Sequence, residues 1–256
     1  MSQGDRRMYG QVGLVTGAAS GIGEAVALRL GAEGATVMCL DINDAGAVAK
    51  QINDSGDGSA EAHQMDVTDA AGWARVTADV AARLGRIDFL VNVAGIPVMD
   101  PDVADTVVTL TEEWFDRVIA VNLKGSWLGM RAVIPHLRAS GGGRIVNTSS
   151  LSSTMGVPSL AAYSASKGGI DALTRQAAAE YAPENILVNA VSPGVIRTPL
   201  LAAQPEEFQR ANAAKHLINR LGEPVEIASM VAYLLTEGGF ATGAVMAVDG
   251  GWSVKG

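Results

Sequence analysis

Two residues with acid–base chemistry, Tyr163 and Lys167, stand four positions apart in the stretch YSASK. On a helix, residues with this spacing share one face, so the phenol and the ammonium can meet. The phenol of a free tyrosine has a pKa of about 10, too high for efficient proton exchange at neutral pH. A nearby ammonium favours the phenolate, and a downward pKa shift of about 3 units needs about 4 kcal/mol. The pair is a candidate proton carrier, although the same spacing is common in surface pairs of helices.

A glycine-rich turn, TGAASGIG, covers residues 16–23, between the first predicted strand and the first predicted helix. Gly17, Gly21 and Gly23 permit a tight turn and a close approach of backbone to a pyrophosphate. The helix that follows offers free N–H groups and a partial positive charge at its N-terminus. Because the turn joins a strand to a helix, as a dinucleotide site requires, it predicts a phosphate-binding loop.

The second predicted strand ends in Asp41. A carboxylate at this place accepts hydrogen bonds from ribose hydroxyls and repels a 2′-phosphate. No Arg or Lys occurs at 18–20 or at Ile42 to attract such a phosphate. The sequence therefore favours NAD(H) over NADP(H). In the alternative interpretation Asp41, or Asp44 after it, caps the next helix.

These residues need a scaffold, and the hydrophobic pattern predicts one. Helical spacing alternates with short apolar runs along the whole chain, which favours an α/β fold: a single-domain, Rossmann-like, doubly wound parallel sheet of about seven strands with helices on both faces. One domain is expected over 1–256. The predicted strands are 11–16, 36–41, 60–66, 87–92, 143–149, 187–192 and 244–248, and the predicted helices include 23–34, 70–84, 112–137, 161–181 and 224–235. Ligands of such sheets bind at the carboxyl ends of the strands.

The motif T-G-x-x-x-G-x-G, the Y-x-x-x-K pair and Ser150, thirteen residues before Tyr163, occur in an order that resembles the short-chain dehydrogenase/reductase family over about residues 10–252. The resemblance implies hydride transfer between a nicotinamide and an alcohol or ketone. It also implies that Ser150 holds the substrate oxygen, Tyr163 passes the proton, and Lys167 tunes Tyr163 and binds the nicotinamide ribose. An oxidised nicotinamide would add positive charge near the phenol. Asn122 matches the family's fourth member, where an Asn can interrupt helical hydrogen bonding and hold a water near the lysine.

The resemblance implies further contacts with the cofactor. Asp66 and Val67 would contact the adenine, unless Asp66 only caps a helix, and Thr198 would bond the carboxamide. Val93 departs from the family's usual Asn-Asn-Ala-Gly pattern. The cofactor residues expected in addition to Gly17, Gly21, Gly23, Asp41, Tyr163 and Lys167 are Ser20, Ile22, Ile42, Asp66, Val67, Asn92, Ala94, Gly95, Pro193, Gly194, Ile196 and Thr198.

Apolar residues are expected around the substrate. Residues 199–218 resemble the family's substrate lid, with Leu200, Leu201 and Phe208 on its inner face. Met155, Val157 and Pro158 could line the pocket or serve ordinary packing. The acidic stretch 98–108 is either a substrate rim or a surface loop. A hydrophobic or cyclic secondary alcohol or ketone is the expected substrate, and the family resemblance implies a homotetramer.

Composition excludes several other functions. The net charge of −8 and the pI of about 4.9 disfavour nucleic acid and anionic membranes as partners. The single cysteine, Cys39, is expected to be buried and inert, cannot form an internal disulfide and fits a cytoplasmic protein. His63, His136 and His216 lack ligand spacing, so no metal site is expected. Neither a signal region nor a membrane-spanning run is expected.

Three other functions compete with this prediction. A 3-oxoacyl thioester reductase typically uses NADPH, which Asp41 disfavours. A catalytically silent nucleotide-binding regulator is disfavoured by the complete set of Ser150, Tyr163 and Lys167. A sugar epimerase or dehydratase is disfavoured by the short chain of 256 residues, which leaves no room for a separate substrate domain.

Overall fold

The computed structural model of the protein describes residues 6–99 and 102–255. Seven strands form one sheet in the order β3-β2-β1-β4-β5-β6-β7, and every neighbouring pair is parallel. The predicted doubly wound sheet is confirmed. The order reverses beside β1, which pairs with both β2 and β4, and the crevice for a ligand lies at this switch point. The strands are β1 Val12–Thr16, β2 Thr36–Asp41, β3 Ser59–Gln64, β4 Phe89–Asn92, β5 Gly143–Thr148, β6 Ile186–Pro193 and β7 Val245–Val248.

Nine α-helices occur in the described part of the chain, and the predicted bounds of two of them are reproduced at both ends. The helix after β2 and the short helices within the predicted lid were not among the predicted helices. The helices are α1 Gly21–Ala32, α2 Gly46–Ser55, α3 Ala70–Leu84, α4 Glu112–Val118, α5 Gly125–Ala139, α6 Ala161–Tyr181, α7 Pro199–Ala202, α8 Glu206–Ala213 and α9 Pro224–Thr236.

The core consists of two apolar layers, one on each face of the sheet. Along β1 the side chains alternate between them, so Val15 packs with α1 and α9, while Leu14 packs with α3 and α5. All five residues of β1 are buried, as expected for a central parallel strand. Cys39 on β2 is fully buried, and this burial raises the pKa of its thiol to about 12. The expectation of a buried cysteine is confirmed.

The predicted helix 112–137 is wrong as a single element. Its middle, Ile119–Lys124, is a π-helical turn that separates α4 from α5. A π turn places one extra residue in the helix, and such turns are frequent at functional sites. The expected interruption of helical bonding at Asn122 is therefore present, and the apolar periodicity on either side concealed it.

Two segments extend over the carboxyl ends of the strands. Residues 199–218 form α7, α8 and the turns after them, and Val98 and Met99 from the segment after β4 line the same cavity as this segment. Residues 100 and 101 of the predicted rim 98–108 lie outside the described residues. No helix in the described ranges has an apolar stretch of the length that a membrane crossing needs.

Candidate active site

Ser150 and Tyr163 meet beyond the end of β5. Ser150 precedes a 3-10 turn at Leu151–Ser153, and its hydroxyl oxygen accepts the backbone N–H of Ser152 at 3.3 Å. Tyr163 is the third residue of α6, so its side chain is held close to the helix start. The Ser150 hydroxyl lies close enough to the Tyr163 hydroxyl to lower the pKa of the phenol, and both side chains line one cavity. The predicted pair of hydroxyls is thus brought together by one loop and one helix terminus.

Lys167 lies one helical turn after Tyr163 and is only 2% exposed. Its Nζ donates to the backbone oxygen of Thr148 at 2.7 Å and lies 5.4 Å from the centroid of the Tyr163 ring. Burial lowers the pKa of Lys167 to about 8, and the charge of Asp171 opposes this shift. The ammonium is therefore held beneath the phenol and has begun to lose its proton by slightly alkaline pH.

The pKa of Tyr163 differs from the sequence-based expectation. Burial raises it above the ordinary value of 10.0, and the hydrogen bond with Ser150 offsets only part of this rise. The predicted lowering is wrong for the protein groups taken alone, because desolvation of the phenolate is the largest influence on this pKa. Tyr163 consequently holds its proton firmly at neutral pH.

Asn122 supports the site from below. Its Oδ1 accepts the Ile96 N–H at 2.8 Å, and its Nδ2 donates to the Ile96 oxygen and to the Ser166 hydroxyl, each at 3.0 Å. Both hydrogens of the amide are thus used in fixing the loop after β4 and the helix of Tyr163. The side chain acts as a brace, and the expected part in holding a water stays a prediction.

The glycine-rich turn has the shape that a phosphate loop needs. Gly17 and Gly21 have φ values of 67° and 60°, which favour glycine. A Cβ on Gly23 would lie 2.0 Å from the Gly17 carbonyl oxygen, so only glycine fits there. Ser20 caps α1 by position, yet its side chain makes no capping bond. The loop therefore leaves a polar side chain and a helix N-terminus free for an anion.

At the predicted adenosine end, the hydrogen bonds of Asp41 and Asp66 show that neither residue caps a helix. Asp41 accepts the Ala19 N–H at 2.9 Å and the Asn43 N–H at 2.8 Å, tying the end of β2 to the phosphate loop. The position before α2 is taken by Ala45, so Asp41 does not cap that helix. Exposed Asp66 bonds Thr68, whereas Asp69 caps α3.

The neighbours of these acids differ in exposure. Ile42 is 61% exposed beside Asp41, and Val67 is buried against Gly125. Both residues lie at the carboxyl end of the strand that precedes them, where the sequence placed them. Their contacts with a cofactor stay predictions.

The end of β4 is joined to its neighbours by side chains. Asn92 donates to Asn147 Oδ1 at 2.9 Å, linking β4 to β5. The hydroxyl of Thr16 accepts the backbone N–H groups of Val93 and Ala94, at 3.0 and 3.1 Å. Because backbone atoms make these bonds, Val93 in place of the family's Asn leaves them intact. Ala94 is half-buried and Gly95 is exposed at the crevice.

The turn after β6 faces the site from the opposite side. Pro193 is buried, and the Gly194 N–H donates to the Val248 oxygen at 3.1 Å. The next N–H, that of Val195, donates to Nε2 of buried His216 at 3.2 Å, which ties the turn to the end of the lid segment. Ile196 is buried, and Thr198 stands against Gly21 of the phosphate loop. The phosphate loop and this turn thus lie side by side.

A cavity of about 800 Å³ lies between these elements. Leu200, Leu201, Phe208, Val157 and Pro158 line it as expected, whereas Met155 does not belong to its lining. Of the predicted rim, Val98 and Met99 contribute, while Val107 and Val108 are about nine-tenths exposed to solvent. The predicted site residues that line it are Ile22, Ser150, Tyr163, Pro193, Gly194, Ile196 and Thr198.

Several residues of the site carried no recognisable signal in the sequence. Thr16 and Thr148 act through one hydroxyl and one backbone oxygen, and Asp105 reaches the start of α6 from a distant loop. Lys215 and Trp252 line the cavity from the lid segment and the C-terminal turn. In the described ranges no group of three or more potential ligands is placed to hold a metal ion.

Comparisons with known proteins agree with this geometry. A family model described as enoyl-(acyl carrier protein) reductase matches residues 17–253. A crystal structure of a putative short-chain dehydrogenase/reductase from Burkholderia xenovorans superposes with a TM-score of 0.90 at 34% identity, covering 98% of this chain and 99% of that one. The chain belongs to the short-chain dehydrogenase/reductase family. It is therefore an oxidoreductase of the alcohol dehydrogenase type, built for a nicotinamide cofactor.

Relatives within the family act on different substrates. Cyclopentanol dehydrogenase of Comamonas sp. strain NCIMB 9872 is 40% identical over 255 residues, covering 97% of this chain and 99% of the relative. The 3-oxoacyl-(acyl-carrier-protein) reductase of Thermotoga maritima is 38% identical over 248 residues, covering 96% and 98%. Relatives of about the same similarity to this chain are thus named for an alcohol in one case and for an acyl thioester in the other.

Proposed function

We propose that the protein transfers a hydride between NAD(H) and a secondary alcohol or ketone. The observation that carries this proposal is that Ser150 and Tyr163 stand together on the wall of the cavity, with the buried ammonium of Lys167 5.4 Å from the centroid of the Tyr163 ring. A catalytically silent regulator would have no need for this arrangement of a proton donor, a second hydroxyl and a cation.

The residues fit a dinucleotide. The clash that any side chain at Gly23 would cause, and the free hydroxyl of Ser20 at the start of α1, suit a pyrophosphate. Thr198 and the Pro193–Gly194 turn would hold the nicotinamide end, and Asp66 and Val67 the adenine. When bound, the nicotinamide supplies or accepts the hydride.

Asp41 supports NAD(H) as the preferred form. Its carboxylate lies at the end of β2, beside the phosphate loop that it bonds through Ala19. It can accept hydrogen bonds from ribose hydroxyls, and its negative charge repels a 2′-phosphate. The residues next to it, Ile42 and Asn43, bring no positive charge that would offset this repulsion.

Tyr163 carries the proton. In ketone reduction its hydroxyl donates to the carbonyl oxygen as that oxygen gains negative charge, and in alcohol oxidation the proton returns to it. The raised pKa of Tyr163 keeps the hydroxyl protonated at neutral pH, which suits the reduction. Ser150 donates a second hydrogen bond to the same oxygen, and Lys167 stabilises the phenolate that forms.

The cavity supports a hydrophobic or cyclic substrate. Apolar side chains from the lid and from the loop before α6 surround the two hydroxyls, among them Leu201, Phe208 and Val157. Desolvating an apolar ring against such side chains contributes binding energy without competing for the polar groups. Cyclopentanol, the substrate named for one relative, has this chemistry.

A 3-oxoacyl thioester is the second candidate substrate, favoured by the similarity to the Thermotoga maritima reductase. A wide cavity at the carboxyl ends of the strands can admit the end of a long chain. Asp41 counts against the NADPH that such reductases typically use.

A screen of secondary alcohols and ketones tests the proposal, with nicotinamide absorbance as the readout and NAD(H) and NADP(H) run in parallel. We expect turnover of cyclic alcohols with NAD⁺ and weaker turnover with NADP⁺. Preferred turnover of a 3-oxoacyl thioester would select the second candidate. Absence of turnover across both classes, with intact folding and NADH binding, would contradict the proposed reaction.

The proposal extends to assembly and compartment. A groove between α5 and α6 is lined by apolar residues that include Leu123, Trp127 and Leu173, and Trp127 is 41% exposed. Exposed apolar surface of this kind is typical of protein interfaces, which supports a homotetramer. The single buried thiol, Cys39, supports a reducing compartment such as the cytoplasm.

A further inference from the structure

The lining of the cavity is neutral except at one place. Among its described residues Lys215 alone carries a charge, and the others are apolar, hydroxylic or amide side chains. Lys215 follows α8, on the lid segment that contributes Leu201 and Phe208 to the same cavity. The site therefore presents one cation to whatever enters beside Ser150 and Tyr163.

The ammonium of Lys215 is held by contacts on two sides. Its Nζ donates to Asn212 Oδ1 at 3.0 Å and lies 5.0 Å from the centroid of the Trp252 ring. Asn212 is 6% exposed, and its Nδ2 donates to the Phe208 oxygen at 2.9 Å, which fixes the direction of the amide. Trp252 packs edge-on against buried His216, with ring centroids 5.5 Å apart. Both supports of the ammonium are thus anchored.

This cation has no partner of opposite charge. Within residues 6–99 and 102–255 the ion pairs involve other lysines and arginines, such as Lys50 with Asp54, and none involves Lys215. Asn212 uses one of the three hydrogens of the ammonium, so two remain for a ligand. Lys215 is exposed at the rim of the cavity, and the buried amide of Asn212 holds its ammonium there.

We propose that Lys215 binds a carboxylate of the substrate, at the opposite end from the hydroxyl or carbonyl that reacts at Tyr163. This inference rests on the proposed function and narrows it to hydroxy acids and their oxo acids with an apolar or cyclic body between the two groups. Charge-assisted hydrogen bonds to an ammonium are stronger than neutral ones. Lys215 sets specificity and takes no part in proton transfer.

Two unreactive probes isolate this contact. Cyclohexanecarboxylate and cyclohexanecarboxamide have the same ring and differ in charge, and neither carries a hydroxyl for Tyr163 to act on. Calorimetric titration into the enzyme saturated with NADH is expected to show the carboxylate binding at least about tenfold more tightly than the amide, because one charge-assisted bond exceeds 1.4 kcal/mol. Lys215→Gln is expected to bring this ratio close to one, and Lys215→Arg to retain most of it.

Lys50→Gln is the matched control, since it removes the same charge from the surface of α2. The ratio is expected to stay at its wild-type value in this variant. Equal binding of the two probes by the wild type, no detectable carboxylate binding at millimolar concentration, or an equal loss of preference in both Gln variants would overturn the proposal.

Kinetics distinguish this failure from failure of the proposed function. With 4-hydroxycyclohexanecarboxylate and its amide as substrates, Lys215→Gln is expected to raise KM for the acid at least about tenfold more than for the amide, because the lost contact serves binding. Turnover of both substrates with equal KM in the wild type overturns only the carboxylate site. Failure of the wild type to bind NADH in the preceding titration contradicts the proposed function. In that case the ratio of the affinities for the two probes, measured without NADH, decides the role of Lys215.

Discussion

Each carboxylate oxygen of Asp41 accepts a hydrogen bond from a backbone N–H group, one from Ala19 and the other from Asn43. The residue can therefore serve the shape of the phosphate loop and the choice of cofactor at once. We expect Asp41→Ala to lower the ratio of kcat/KM for NAD⁺ to that for NADP⁺ by about tenfold or more, because one charge-assisted contact with ribose and the repulsion of a 2′-phosphate are both lost. Steady-state rates with each cofactor measure this ratio.

Asp44→Ala is the control for Asp41. Asp44 lies on the same loop, and its Oδ1 accepts only the N–H of Gly46, at the start of α2. This variant should leave the ratio unchanged. An unaltered ratio in Asp41→Ala would remove the proposed role of that carboxylate.

Lys167 predicts a dependence on pH. Its pKa is lowered from 10.5 to about 8, so the ammonium is present below about pH 8 and is lost above it. We expect kcat/KM for ketone reduction to fall as pH rises through about 8, because a neutral amine no longer stabilises the phenolate of Tyr163. A pH–rate profile between 6 and 10 measures the fall, and a flat profile would contradict it.

Loss of stability would not account for such a fall. In the unfolded chain Lys167 keeps its proton up to about pH 10.5, so between pH 8 and 10.5 the folded protein binds fewer protons at this site. By linkage the free energy of unfolding then gains from this group as pH rises through that window. Circular dichroism at each pH provides the control.

At this scale the sequence predicted residue types well and contacts poorly. Helical spacing predicted that Tyr163 and Lys167 share one face, and the family resemblance added Ser150 at the end of β5. The pKa of Tyr163 could not be predicted, since burial depends on segments far away in the chain. Lys215 was missed because its partners Asn212 and Trp252 matter only once the lid and the C-terminal turn meet.

Among the elements, the start of α6 deserves a test because it carries Tyr163. Leu160 precedes this helix and supplies no side-chain cap. Buried Asp105 caps it from the loop after β4: its Oδ1 accepts the Ala162 N–H at 2.9 Å, and its backbone oxygen accepts the Ala161 N–H at 3.0 Å. Part of the connection between β4 and α4 thus serves to hold the helix of the proton carrier.

Replacing Asp105 should affect both stability and turnover. We expect Asp105→Ala to lower the free energy of unfolding by about 1–2 kcal/mol, the usual cost of a lost helix cap, and to lower kcat by loosening Tyr163. Urea unfolding and steady-state kinetics measure the two effects.

Asp54→Ala, which removes only an exposed ion pair with Lys50, is the control for Asp105 and should change stability by less than about 1 kcal/mol. Equal effects of the two substitutions would contradict the capping role of Asp105.

Long helices were predicted more closely than short ones. Strand β2 and helices α3 and α6 have the predicted bounds, and the two helices have 15 and 21 residues. The π turn at Ile119–Lys124 shifts the register by one residue within an otherwise helical pattern. Helix α2 buries only three of its ten residues and was not among the predicted helices.

For the whole molecule, the apolar groove between α5 and α6 predicts assembly. We expect light scattering at micromolar concentration to give four times the 26.3 kDa of one chain. Trp127→Glu should lower this mass, because it places a charge on apolar surface that the tetramer would bury. Tyr9→Glu, at a more exposed aromatic position elsewhere, is the control, and a wild-type monomer would contradict the assembly.

The architecture as a whole was the most predictable level, since alternating strands and helices permit few topologies. Its consequence is that the phosphate loop, the hydroxyl pair and the Pro193–Gly194 turn meet at one edge of the sheet.

The central claim is that Tyr163 carries the proton at this edge. Tyr163→Phe tests this claim most directly, with turnover of a cyclic alcohol and NADH affinity measured on the same sample. We expect kcat to fall by at least about 10²-fold while the Kd for NADH changes little, because only the hydroxyl is removed. Turnover close to that of the wild type would contradict the account.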